Sequence, residues 1–126
     1  MSQSSAFDFQ YFISEKNGFL VASLVGLLDQ SSLPKFEELS TEISRADFKK
    51  FILNFRDVSG VTTESFQAIA LLQKMVRARD ADLRICGLRP DVKDRLHKAG
   101  ILRPHELANN LQEALLSLMS AAKKVA

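Results

Sequence analysis

F-I-L-N-F-R-D-V-S-G-V-T-T-E-S-F-Q-A-I-A-L-L-Q-K-M-V-R-A-R, residues 51–79, is the stretch whose reading decides the fold. Phe51 to Phe55 form an apolar run, and Asp57, Ser59 and Gly60 follow it as a turn signal. Together they read as a buried strand and its end. A hydroxyl-rich loop comes next. Beyond it the chain as far as Arg79 holds neither Gly nor Pro and is rich in strong helix formers. A strand thus feeds a loop, and the loop opens a helix at Thr62-Thr63-Glu64-Ser65. There the free N–H groups of the first helical turn point outward, where an α/β protein places chemistry or recognition.

Upstream, residues 1–6 read as loose. Phe7, Phe9, Tyr11 and Ile13 alternate with polar neighbours, the period of a strand with one buried face. Lys16-Asn17-Gly18 reads as a turn, and Phe19 to Leu24 as the returning strand of a hairpin that ends at Gly26-Leu27-Leu28-Asp29. Ser31 or Ser32 is the expected cap of a helix with Pro34 in its first turn and Phe36, Leu39 and Ile43 on one face. Downstream, Leu83, Ile85 and Leu88 mark another buried strand ending at Gly87. Pro90 opens a helix with an inward stripe of Val92, Leu96 and Ala99, stopped by Gly100. Ile101 to Leu107 leave room for a short edge strand, which Pro104 keeps marginal. Asn109 or Asn110 caps a last helix striped by Leu111, Leu115, Leu118, Met119 and Ala122, with Lys123-Lys124 near its end. Strands alternating with helices predict an α/β fold. Its sheet is mostly parallel, with an N-terminal antiparallel hairpin and about four helices.

The chain of 126 residues suits one domain. With 46% apolar and 25% charged residues it has the balance of a globular protein, and a net charge of +2 gives no reason to expect nucleic acid. Cys86 is the single cysteine; it excludes an internal disulfide and reads as a small core hydrophobe. No apolar run approaches the ~18 residues of a membrane span. The opening M-S-Q-S-S is polar and lacks the layout of a signal peptide. The expectation is a cytoplasmic protein.

Enzyme signatures are missing. None of the phosphate-loop, dinucleotide, nucleophile-elbow or zinc-protease motifs occurs, so no catalytic residue, metal ligand or cofactor is expected. His97 and His105 read as surface residues, and Asp91, Lys93 and Asp94 as a solvated helix face. Lys74, Arg77 and Arg79 resemble a phosphate patch but read as the wet side of a helix. At 100° per residue, Ala68, Ile69, Leu72, Met75 and Val76 of the central helix share a core-facing side. The opposite arc carries Thr63, Gln67, Ala70, Lys74 and Ala78, with Leu71 at its margin. Small residues plus one Leu beside a helix N-terminus predict a docking surface for another protein, with an ordinary exposed face as the plainer alternative.

The whole pattern resembles the STAS domain, the fold of anti-sigma-factor antagonists. The resemblance runs through Gly26-Leu27-Leu28-Asp29 and, without a gap, Leu53 to Phe66. It continues through Gly87-Leu88-Arg89-Pro90-Asp91-Val92, Ala99-Gly100-Ile101 and Glu113-Ala114-Leu115-Leu116. It implies a single domain over residues 1–126 that regulates by binding proteins. The partner would be an anti-sigma kinase, a phosphatase, another STAS protein or a transport ATPase, and a homodimer is within its scope. The tip departs from the family's D-S-S-G, whose second Ser is phosphorylated. Thr62 stands at the Asp, Thr63 at the first Ser, Glu64 at the acceptor Ser and Ser65 at the Gly. A carboxylate in the first turn of a helix is favoured by ~0.3–1 kcal/mol and could imitate a phosphate there. A shifted register, matching Glu64-Ser65-Phe66 to a D-S-F variant, makes Ser65 the acceptor, and Thr63 is a third candidate. The competing functional class is a nucleotide or anion site at the same tip, or a STAS subunit of a transport or signalling complex. The fixed charge of Glu64 argues against bound phosphate.

Overall fold

The computed structural model describes residues 8–124, with side chains described to Ser120. The readings for residues 1–7, for Ala122 and for Lys123-Lys124 therefore lie outside the described residues or side chains. The elements run β1 (Gln10–Lys16), β2 (Phe19–Leu28), α1 (Leu33–Arg45), β3 (Lys50–Val61), α2 (Phe66–Ala78), β4 (Asp82–Cys86), α3 (Pro90–Lys98), β5 (Leu107–Ala108) and α4 (Leu111–Lys124). Short 3-10 turns stand at Gln30–Ser32, Thr63–Ser65 and Pro104–Glu106.

Asn17 and Gly18 both take positive φ, the requirement of the two-residue hairpin that folds β1 onto β2. The sheet order is β1-β2-β3-β4-β5, antiparallel between β1 and β2 and parallel from there on. Alternation along β3 sends Phe51, Leu53 and Phe55 to one face and Ile52 to the other. On the first face Phe36, Leu39 and Ile43 of α1, Ile69 and Val76 of α2, and Leu96 of α3 build the main core. On the second, Ala114, Leu115 and Leu118 of α4 cover Phe19, Val21, Ile52 and Cys86. Burial pushes the Cys86 thiol up to about 11, which leaves it a core side chain with little thiolate.

Several expectations need correction. Asp57, Ser59 and Gly60 are not a turn; they lie inside β3, which runs on to Val61. The reason is β2, which likewise continues past Leu24 to Leu28 and keeps pairing, Val25 with Asp57 and Leu28 with Val61. Two register shifts each leave β3 one residue longer than β2, so bulges absorb the polar residues. Ser32 does stand at the N-cap of α1, but its side chain makes no capping bond there. The side-chain cap belongs to the preceding 3-10 turn, where the Asp29 carboxylate accepts the Ser32 N–H at 3.2 Å. Ala99 and Met119 are exposed, not part of their helices' inward stripes, because α3 ends at Lys98 and because Ala114 takes the inward place on α4. The edge strand shrinks to Leu107–Ala108, after the Pro104 turn. Asn110 does cap α4, accepting the Glu113 N–H at 2.9 Å.

The expected wet face of α2 is also wrong for two of its three cations. Arg77 makes a two-pronged contact with Glu106, Nε to Oε2 at 2.9 Å and Nη2 to Oε1 at 2.8 Å. The Glu106 carboxylate is buried, and it also accepts from Gln73 Nε2 at 3.2 Å. Arg79 donates to the Ile43 and Ala46 carbonyls and lies over the Phe51 ring. Both are structural ties between α2 and its neighbours. Lys74 alone is exposed.

Candidate functional site

The tip forms where β2 and β3 end side by side. The Thr62 N–H donates to the Leu28 carbonyl at 2.9 Å, the last rung of that pairing. Thr62 itself is extended, and the chain then turns through Thr63–Ser65 into α2, with the Ser65 N–H donating to the Thr62 carbonyl at 3.0 Å. The predicted helix start at Thr62-Thr63-Glu64-Ser65 is therefore a 3-10 turn that leads into the helix proper at Phe66.

The four tip residues have different environments. Ser65 is fully buried, and its hydroxyl donates to the Leu28 carbonyl at 3.1 Å, with the Thr62 hydroxyl 3.4 Å away. Thr63 and Glu64 are exposed. The Glu64 carboxyl is held below its ordinary value, first by the hydrogen bond from its own backbone N–H and next by one from the Thr62 hydroxyl; Asp29 nearby opposes this. Glu64 is thus ionised at neutral pH. Asp29 is likewise held low, chiefly by the Ser31 hydroxyl and then by Ser32.

One cation reaches the tip from outside it. Arg95 of α3 donates to the Val61 carbonyl at 2.7 Å and to the Thr63 hydroxyl at 3.3 Å, and its guanidinium lies 5.2 Å from the centre of the Phe66 ring. Sequence reasoning missed Arg95. It is separated from Thr63 by an entire strand and helix, and nothing local to either residue signals the contact.

The arc of α2 read as a docking face is accessible to solvent. Gln67 and Lys74 are exposed, Ala70 is half-buried, and Leu71 keeps 57% of its surface. Leu71 also lines a groove of about 310 Å³ between α1 and α2, with Phe36, Ser40, Ala68 and Met75 among the walls. The tip and this face are continuous along the first three turns of α2. His97 and His105 are on the surface. Among the described residues no three His, Cys, Asp or Glu gather as a metal site would need, and no described helix is long and apolar enough to cross a membrane.

The chain belongs to the STAS-domain family, whose model matches residues 12–114. Over 106 residues it is 22% identical to BtrV of Bordetella bronchiseptica, whose name assigns it provisionally to the anti-sigma factor antagonists; the match covers 83% of this chain and 90% of that one. Among solved structures, an anti-sigma factor antagonist from Mycobacterium paratuberculosis superposes with a TM-score of 0.82 at 14% identity, over 93% of this chain and 99% of the other. A Ser-to-Glu variant of RsbS from Moorella thermoacetica superposes at 0.77 with 22% identity, over 90% and 98%.

Proposed function

We propose that this chain is a non-catalytic regulatory module of the anti-sigma factor antagonist kind, working by docking its tip and the exposed face of α2 on a protein partner. The family, and the names of the relatives it resembles, support that class. The contact residues are Thr62, Thr63 and Glu64 at the tip and Gln67, Ala70, Leu71 and Lys74 on the helix. The partner is an anti-sigma kinase, a phosphatase or another STAS protein, met in the cytoplasm.

One observation carries the reading. Glu64 presents an ionised, exposed carboxylate in the 3-10 turn that leads into α2. A negative group in that place gains from the helix field as a phosphate would, but it is permanent. The charge is also smaller, −1 against about −1.5 to −2 for a phosphate at neutral pH. A partner that discriminates phosphorylated from unmodified antagonist then meets a tip fixed close to one state.

The same observation disfavours the competing reading, an anion or nucleotide site. Glu64 repels phosphate, and Asp29 adds a second negative charge close by. A pull-down from the host with wild-type chain, Glu64→Ser and Leu71→Asp tests the proposal. Capture of an anti-sigma kinase, phosphatase or STAS protein that Leu71→Asp loses supports it. Capture unaffected by both substitutions, or nucleotide-dependent thermal stabilisation lost on changing Thr62 or Glu64, overturns it.

A further inference from the structure

α3 faces two ways. Arg95 turns toward the tip, whereas Lys93 and His97, about 200° round the helix, turn to the opposite side. There a groove of about 420 Å³ opens between α3 and the segment that returns to β5, with Leu102, Pro104 and Leu107 as its apolar wall. A second hollow of about 260 Å³ shares Lys93 and Leu107 with the first and runs on to Asn109 and Glu113. The two form one trough along β5. That strand ends the sheet, and its outer edge pairs with no other strand among the described residues.

The charges around this trough do not cancel. Each carboxylate of α3 and of the turn after it already has a partner: Asp91 lies 3.9 Å from Arg89, Asp94 3.2 Å from Lys98, and Glu106 2.8 Å from Arg77. Glu113, at the far end, accepts the Asn109 N–H at 3.3 Å. Lys93 lines the trough, and Arg103 stands between the lining residues Leu102 and Pro104. Both side chains are exposed, and among the described residues neither meets a hydrogen-bond or ion-pair partner. The exposed imidazoles of His97 and His105 adjoin them. An apolar floor therefore lies between cations that no described carboxylate neutralises.

We propose that this trough is a second docking site, and that it takes an extended, acidic segment of a partner protein. An apolar side chain of that segment lies over Leu102 and Leu107, and carboxylates on either side of it meet Lys93 and Arg103. The form of the occupant follows from the walls, one of which is an open strand edge that an extended chain can join. Its chemistry follows from an apolar floor set between two unpaired cations. A nucleic-acid backbone would leave the floor uncovered, and a flat membrane surface cannot enter a trough. The site shares no residue with the tip or with the exposed face of α2, so the inference stands apart from the proposed function.

The experiment selects a display library of random peptides on the full chain and measures the enriched peptides, made as synthetic probes, by fluorescence anisotropy. The expected peptides carry an apolar residue between Asp or Glu residues, and Ser in place of that apolar residue should abolish binding. Lys93→Glu with Arg103→Glu should weaken the acidic probes by about tenfold or more. Probes with Lys in place of Asp and Glu should bind that variant better than wild type. Both positions are exposed, and circular dichroism identical to wild type shows that the variant is folded. Leu71→Asp, which removes the proposed α2 contact, should leave probe binding unchanged, so the two readings fail separately. No enriched peptide overturns the proposal. So do peptides without acidic residues, and peptides released by Leu71→Asp and not by the charge reversal. A phosphopeptide or single-stranded DNA that binds where the acidic probes do not also overturns it. Self-association that the charge reversal dissolves, in the absence of probe binding, assigns the trough to a second copy and overturns it as well.

Discussion

The Ser65 hydroxyl donates to the backbone carbonyl of Leu28, 37 positions earlier, at 3.1 Å and wholly out of solvent. This bond ties the start of α2 to the end of β2 and divides the tip into a buried half and an exposed half. The hydroxyl available to a kinase among Thr63, Glu64 and Ser65 is that of Thr63.

Ser65 should therefore be structural. Ser65→Ala is expected to cost about 1 kcal/mol, because the Leu28 carbonyl keeps its bond from the Thr62 N–H. Ser65→Glu buries an unpaired charge and should cost far more, as urea unfolding would show. A phosphate on Ser65 in folded protein, found by mass spectrometry, would falsify this placement and return the shifted register.

With a cognate kinase and ATP, wild-type chain should stay unmodified or take phosphate on Thr63, where Arg95 stands ready to pair with it. Glu64→Ser restores a hydroxyl at the acceptor position, and Thr62→Asp with Glu64→Ser restores the family's pair of residues. Phosphate incorporation should be greatest in the double variant. Equal incorporation in wild type and double variant, with no phosphate at position 64 of the double variant, would defeat the ungapped register.

The Glu64 carboxyl should titrate below the ordinary 4.5. A depressed folded value means that the folded state holds the proton less tightly than the unfolded chain. Its contribution to stability is then present above about 4.5 and lost as pH falls through the lower folded value. Carboxyl-carbon NMR across pH 2–6 reads the midpoint. Thr62→Val, which removes the second of the two bonds, should move it upward only partway, because the Glu64 amide remains. A midpoint at the free-glutamate value would show that the carboxylate does not turn back onto the tip.

Arg77→Ala should be among the most damaging changes on α2, at about 3 kcal/mol, since it leaves the buried Glu106 carboxylate without its cation. Glu106→Gln in the same background should recover part of that loss. Additive costs in chemical denaturation would mean that the pair is not coupled in the folded state.

Leu71→Asp should change stability by no more than about 0.5 kcal/mol, because the side chain is mostly in solvent. Partner binding should fall by at least tenfold. Unchanged affinity with an unchanged fold would remove α2 from the docking surface.

The features legible in sequence are those that repeat locally. Alternation at Tyr11 and Ile13, the stripe of Phe36, Leu39 and Ile43, the Asn17-Gly18 turn and Pro90 each encode an element within a few residues of themselves, and the family motifs inherit that locality. The exposure of Leu71 followed from helix geometry in the same way. What the sequence could not carry is pairing at a distance. Asp57, Ser59 and Gly60 have the composition of a turn, and only the continuation of β2 beside them, with its two register shifts, makes them strand. Ser65 reads as an exposed first-turn hydroxyl until the Leu28 carbonyl is placed against it. Arg77 and, just past the helix end, Arg79 follow Lys74, yet a carboxylate 29 positions away and two carbonyls of the α1 end turn them into ties within the fold. The residues alone determine where most helices and strands lie, because that choice rests on backbone preference and hydrophobic period; how far β2 and β3 run was decided by their pairing. Which polar group is solvated, and which is spent on holding the fold, depends on where the distant partner arrives, and the tertiary structure alone decides that.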